Sequence, residues 1–234
     1  MFRRLNRLAG IVKADGIIAA LKWFIITVYH RLIPQKQVIW CTDLTEFNAE
    51  GFSLPDNIEI QRFYSIDKVD KEDLKTLIRC GTDLMGSAAS KLIPERFNKG
   101  AILWLYKENG ILVGYRWTIV NNHVTPTYVP HTKTDVHSIG EEIFPAFRGK
   151  NLHQLAMRYV RIISKNEGFK RYYSETYLWN KRAIKSILKS GTRPIGIATR
   201  FSIFGKNIVI WHDMTSKKNF YDIWTFQKNT QLEE

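Results

Sequence analysis

Cysteine is scarce in this chain: Cys41 and Cys80 are the two present in 234 residues. Two thiols so far apart make neither a disulfide framework nor a zinc site, so the reading is a reduced, cytoplasmic setting. Acidic residues are also in short supply, with 22 Asp and Glu against 35 Lys and Arg and a formal net charge of +13. The sequence pI of about 9.7 implies an anionic partner: a phosphorylated ligand, a membrane surface or nucleic acid. The six histidines, at 30, 123, 131, 137, 153 and 212, show no metal-ligand spacing, and no metal is expected. The chain lacks the Gly-rich signatures of P-loop and dinucleotide-binding proteins and the Gly-x-Ser-x-Gly nucleophile elbow. It has no internal repeat, which excludes solenoids.

What is present is a hydrophobic fraction of 44%, enough for a sizeable core, and 7 Trp, 10 Tyr and 13 Phe. Most of the aromatics fall inside apolar strand-like runs, where core packing accounts for them. No RNA- or DNA-binding motif accompanies them, which argues against nucleic acid as the partner.

The first 36 residues stand apart. They carry seven Lys or Arg and one acid, Asp15, with Phe2, Leu5, Leu8, Ile11 and Val12 at helical spacing. The denser apolar run Gly16 to Tyr29 spans 14 residues and contains Lys22; a transmembrane helix needs roughly 20. It has no small-residue cleavage site of the secretory kind. Two readings fit: a basic amphipathic helix lying on the inner face of a membrane, or helices packed on the core. Residues 37–56, with Gly51 and Pro55, read as a linker or an extra strand.

From residue 57 the pattern is one compact α/β unit extending to 212. Ile58, Ile60 and Phe63 suggest a strand, Lys68 to Cys80 a helix, and Gly86 to Asn98 a second helix interrupted by Pro94. Ala101 to Tyr106 and Ile111 to Val120 are apolar runs joined through Asn109-Gly110, a strong hairpin signal. Val136 to Phe144 is a further strand. Leu152, Leu155, Ala156, Tyr159, Val160 and Ile163 form a helical stripe. A strand at Arg171 to Tyr177, a short helix at Asn180 to Ser190 stopped by Gly191, and a closing hairpin around Gly205 complete the order. The tail, 213–234, reads as a docking segment on the same chain.

The richest stretch is Phe144 to Leu155, FPAFRGKNLHQL. A strand feeds a basic, Gly-containing turn that opens an amphipathic helix, and such a helix start directs unbonded backbone N–H groups at an anion. The window Arg148-Gly149-Lys150-Asn151-Leu152-His153 and, further on, Asn180, Ala183 and Gly191-Thr192 resemble the two local motifs of the GNAT superfamily of N-acetyltransferases. The resemblance covers roughly residues 57 to 212. It implies a mixed α/β sheet with helices on both faces, and acetyl-CoA or another acyl-CoA as co-substrate. It also implies a donor site built from Ile143, Phe144, Arg148, Gly149, Lys150, Asn151, Leu152, His153 and Asn180. Asn151 stands where the family prefers Gly, and His153 where Gly or Ala is usual.

The implied chemistry is acyl transfer to an amine, which uses a base for the acceptor and an acid for the departing thiolate. His137, Glu141 and Glu142 on the preceding strand are the candidate bases. Strict alternation puts His137 and Glu141 on one face and Glu142 on the other. The family's usual acid, a Tyr, is replaced by Ile187, leaving Tyr173 and Tyr177 as substitutes. Arg193, Arg200 and Lys206 favour an anionic acceptor, such as an amino sugar or a lipid-linked intermediate. Two alternatives remain open at this stage: a long-chain or acyl-carrier-protein donor, and a membrane-associated acyl-CoA-binding protein without turnover.

Overall fold

The structure, a computed structural model, describes residues 35–85, 89–120, 132–203, 206–214 and 223–225. The basic segment 1–36 falls almost wholly outside the described residues. Among those described, no helix is long and apolar enough to cross a membrane. The chain divides into two compact units, Val38–Ile195 and a second made of Met1–Gln37 with Gly196–Glu234.

The larger unit contains β1 (Gln35–Asp43, from Val38 onward), β2 (Ile58–Phe63), α1 (Lys71–Met85), α2 (Ala89–Asn98), β3 (Ile102–Glu108) and β4 (Ile111–Val120). There follow β5 (Asp135–Ile143), α3 (Leu152–Asn166), β6 (Arg171–Tyr177) and α4 (Lys181–Lys189). Its strand order is β2-β3-β4-β5-β6-β1. Neighbours from β2 to β5 run antiparallel, and β5 and β6 run parallel. A parallel pair needs a crossover, and α3 supplies it.

β3 is buried along most of its length because both of its faces are covered. Ala101, Leu103 and Leu105 join Leu77, Ile93, Phe97, Trp117 and Phe144 in one core cluster. Ile102, Trp104 and Tyr106 join Val136, Leu152, Ala156, Val160 and Tyr172 in the other. The period of two along the strand therefore feeds two cores at once, as a central strand requires. The β3–β4 hairpin closes through Asn109 and Gly110, both at positive φ (51° and 76°), the geometry that Asn-Gly favours.

The helices follow the apolar stripes. Asp70 caps α1 by accepting from the backbone N–H groups of Glu72 and Asp73 at 2.8 and 3.2 Å. Leu152, Ala156 and Val160 turn α3 toward the sheet. The connection from β1 to β2 crosses the unit over α3. The Leu44 N–H donates to the Lys170 carbonyl at 2.8 Å, and Lys165 Nζ donates to the carbonyls of Thr45 and Phe47 at 3.3 and 2.7 Å. These bonds satisfy backbone groups that a buried loop would otherwise leave without partners.

β7 (Arg193–Ile203) leads into the smaller unit, where it pairs antiparallel with β8 (Lys206–Asp213). β9 (Ile223–Thr225) pairs antiparallel with β8, so this part of the C-terminal tail docks on the same chain as a strand. Gly196 lies against Trp211, whose ring occupies the space a side chain would need.

Candidate active site

β5 and β6 pair only from Asp135 to Ser138 against Arg171 to Ser174. Beyond Ser138 the two strands part, while β5 stays paired with β4 as far as Ile143. The separation leaves an open slot between their C-terminal ends. A β-bulge marks its start: Trp117 faces Gly140 while Thr118 faces Ser138, so Ile139 has no cross-strand partner.

The bulge resets which side chains share a face. Arg116 lies opposite Glu141, Tyr115 opposite Glu142, and Ile119 opposite His137. Tyr115 and Ile119 belong to the core cluster on the α1–α2 side. Directly opposed residues share a face. Glu141 therefore points to the α3 side, whereas His137 and Glu142 share the other face. Strict alternation predicted the reverse grouping, because the extra residue in the strand carries no signature in the pattern of residue types.

The slot opens into a cavity of about 620 Å³. Glu141, Glu142, Ile143, Arg148, Gly149, Asn151, Leu152, His153 and Asn180 all line it, together with Ser186 on α4. A volume of this order holds a small-molecule ligand. The turn beneath it is left-handed in two places, Gly149 at φ 90° and Asn151 at φ 59°. Asn is among the few residues with a side chain that tolerate this region, which explains how it substitutes for Gly here. The carbonyl of Asn151 accepts from Gln154 and Leu155 at 3.0 and 3.1 Å. The N–H groups of Leu152 and His153 have no acceptor within the helix, so the start of α3 suits an anion.

Arg148 and Lys150 are engaged by acids rather than held ready for a phosphate. Arg148 donates to Glu142 at 2.9 Å and to the carbonyl of Ile143 at 2.9 Å. Lys150 bonds Glu108 at 2.7 Å. Burial raises the Glu142 pKa, and Arg148 works against that shift. Phe144 packs in the core on the α1–α2 side, and its N–H donates to the carbonyl of Val113 at 2.9 Å. Asn180 caps α4 by accepting from the Ala183 N–H at 3.2 Å.

The sequence-predicted catalytic residues divide sharply. Glu141 and Glu142 reach the cavity. His137 does not line it; its Nε2 lies 3.3 Å from Glu175 Oε1. Tyr173 is also absent from the lining. It is buried beside Cys41, and desolvation raises its pKa. Tyr177, 37% exposed, stacks on Trp179 with ring centroids 5.5 Å apart. Neither tyrosine is placed to protonate a group held in the cavity.

The structure adds Arg116 and Ser186, which the sequence reading missed, and gives His153, expected only as a donor-site residue, a carboxylate partner. Arg116, 1% exposed at the centre of β4, forms an ion pair with Glu141 and donates to Tyr172 Oη at 2.6 Å. A charged residue inside the apolar run ILVGYRWTIV was the available signal. His153 reaches Glu141 from the first turn of α3 through Nε2, and its Nδ1 lies 3.0 Å from Ser186 Oγ. Burial lowers the His153 pKa, with Glu141 opposing the shift, so the ring is neutral near pH 7. Asn180, Ala183 and Ser186, three residues apart along α4, turn toward the same cavity. A second cavity, of about 820 Å³, flanks α3 and is lined by Lys150, Arg158, Arg161 and Lys189 among others.

No protein-family model matches the sequence, and no curated protein matches it. Solved structures do. The chain is similar to an acetyltransferase from the GNAT family of Colwellia psychrerythraea, at 12% identity and a TM-score of 0.50, over 75% of this chain and 59% of that one. It is also similar to a functionally unknown conserved protein from Staphylococcus epidermidis, at 11% identity and a TM-score of 0.50, over 74% of this chain and 64% of that one. The chain thus spans less than two thirds of either structure. Together with the parted strands, the bulge and the left-handed turn, this likeness identifies the fold as that of the GNAT acetyltransferases.

Proposed function

We propose that this chain is an acyl-CoA-dependent N-acyltransferase that transfers an acyl group from a thioester donor to an amine. The parting of β5 from β6 beyond Ser138, above the left-handed turn at Gly149 to Asn151, is the observation that carries this reading. A pyrophosphate fits the first turn of α3, where the N–H groups of Leu152 and His153 and the helix dipole meet it. A thioester arm fits the slot, where β5 from Ile139 onward has lost its β6 partner. Arg158 and Lys189 in the lining of the second cavity give part of the excess positive charge a use in holding further phosphate.

The base we infer is the His153–Glu141 pair. It is the contact between titratable groups that lies within the cavity and contains a neutral imidazole. Glu141, held by Arg116, fixes the ring and stabilises the imidazolium that forms when Nδ1 takes a proton from the attacking amine. The thiolate is a good leaving group and takes that proton as it departs. The net positive charge favours an anionic acceptor, such as an amino sugar bearing a phosphate.

Titration calorimetry with acetyl-CoA tests the reading. Saturable binding is expected, weakened about tenfold or more in Gly149→Val, whose side chain the turn cannot hold in its present conformation. An amine screen with wild-type protein then reads turnover. Absence of acyl-CoA binding at any chain length would remove the proposal. Binding without turnover on any amine would leave a non-catalytic acyl-CoA-binding protein.

A further inference from the structure

Three side chains from three separate elements converge in the cavity. Ser186 comes from α4, His153 from the first turn of α3, and Glu141 from β5 beyond the bulge. The order of contacts is Ser186 Oγ to His153 Nδ1 at 3.0 Å, then His153 Nε2 to Glu141. Glu141 is in turn paired with the buried guanidinium of Arg116, which Tyr172 Oη also contacts. A hydroxyl on an imidazole whose far nitrogen is held by a carboxylate is the arrangement that activates a serine nucleophile.

Resting on the donor site described above, we propose that Ser186, His153 and Glu141 form a nucleophile, base and carboxylate relay. It accepts the acyl group as a serine ester and gives the protein a thioester-cleaving activity that needs no amine.

The electron and proton movements balance. The relay uses the tautomer with the proton on Nε2, the nitrogen paired with Glu141, which leaves the Nδ1 lone pair facing Ser186. Ser186 Oγ attacks the thioester carbonyl carbon while its proton passes to Nδ1. The C–S bond breaks, and the thiolate takes that proton and leaves as free CoA. Water then attacks the serine ester, giving its proton to Nδ1. The C–O bond to Ser186 breaks, and Oγ recovers the proton. The sum is acyl-CoA plus water giving carboxylic acid plus CoA, with no oxidant, reductant or metal consumed.

Two further observations support the relay. The bulge at Ile139 and Gly140 is what turns Glu141 onto the α3 face, and bulges that re-aim a side chain recur beside active sites. Burial also keeps the His153 ring neutral and so able to accept a proton.

The test uses full-length protein with acetyl-CoA and octanoyl-CoA in the absence of any amine. Thiol release is followed with a chromogenic thiol reagent, and acid-quenched samples are digested and read by mass spectrometry. Wild type is expected to release CoA continuously and to carry an acyl group on the peptide containing Ser186. Ser186→Ala and His153→Gln should lower release about a hundredfold or more, while Ser186→Cys should still become acylated. Circular dichroism confirms that each variant is folded. Thiol release by Ser186→Ala at the wild-type rate overturns the relay, as does an acyl group found on another residue alone. Binding of the thioester by calorimetry without release or adduct overturns the relay but leaves the donor site standing. Failure to bind either thioester removes both.

Discussion

Arg116 and Glu141 stand directly opposite one another on β4 and β5 and form an ion pair at the point where β5 has left β6. The pair anchors the site. A guanidinium 1% exposed in the middle of a sheet needs a counter-charge, and the carboxylate that answers it also reaches into the cavity. Glu141 raises the Arg116 pKa, against the opposing effect of burial.

Removing the arginine should therefore be costly. Arg116→Met leaves Glu141 without its buried partner and Tyr172 without its donor, and is expected to destabilise by about 3 kcal/mol. Urea denaturation measures this as a lower midpoint with unchanged slope. A change within a few tenths of a kcal/mol would mean that the pair is not formed in solution.

Arg161 offers the contrasting case. It is equally buried, yet among the described residues it has no carboxylate partner: its hydrogen bonds go to Thr192 at 2.6 Å, Ser190 at 3.3 Å and Met157 Sδ at 3.2 Å, and its guanidinium lies over the rings of Tyr172 and Phe47. Burial pushes its pKa down to about 10. A base whose folded pKa is lowered binds its proton less tightly than the unfolded chain does, so at neutral pH the charge weighs against folding. Arg161→Met, similar in volume, is expected to leave stability unchanged or to raise it by up to about 1 kcal/mol. Comparing thermal midpoints of the two Arg→Met variants tests the distinction directly.

The pH dependence of stability follows from His153. Its folded pKa lies below the ordinary value of about 6.5. The unfolded chain therefore binds more protons in the window between the two values, and stability rises with pH there. The His153 contribution is fully present above about pH 6.5 and lost as pH falls through the window below it. His153→Gln should flatten the acid limb of a plot of denaturation midpoint against pH. A limb of unchanged steepness would assign the titration to another group.

The left-handed turn can be tested without touching a catalytic group. Among the described residues, none but its two chain neighbours comes within 4 Å of where a Cβ at Gly149 would sit, so Gly149→Ala isolates backbone strain from packing. It is expected to cost about 1–2 kcal/mol and to weaken acetyl-CoA binding in step. Asn151→Gly, at φ 59°, should be tolerated, while Asn151→Val should lose stability and binding together. Equal midpoints for the Gly and Val variants would show that the turn does not hold this conformation.

At the other wall of the cavity, Asn180→Ala removes the side-chain cap of α4 and is expected to cost about 1 kcal/mol. Asn180→Asp preserves the acceptor and should recover most of that loss. Chemical denaturation of both variants reads the difference, and equal losses would argue against the cap.

Several parts of this protein were already written in residue order. Asn109-Gly110 specifies its hairpin locally, because few dipeptides accept positive φ twice in succession. The stripe Leu152, Ala156 and Val160 specifies α3 and the face it buries, since helical periodicity is a property of neighbours along the chain. Gly149 and Asn151 similarly announced a turn that demands left-handed backbone. These local features, in order, were enough to suggest the GNAT fold and the rim of the donor site.

The catalytic face was decided only in three dimensions. The bulge between Ser138 and Gly140 arises from pairing with β4, and a one-residue slip exchanges the faces of every residue beyond it. That slip separates Glu141 from His137, which residue alternation had placed together. It delivers Glu141 instead to Arg116, to His153 and, through His153, to Ser186, which stand 25, 12 and 45 positions away along the chain. Contacts between residues so far apart are set by how elements pack, and no period in the sequence encodes them. Tyr173 shows the same limit: its place beside Cys41 rather than in the cavity follows from β1 lying next to β6, an adjacency between strands remote in the chain.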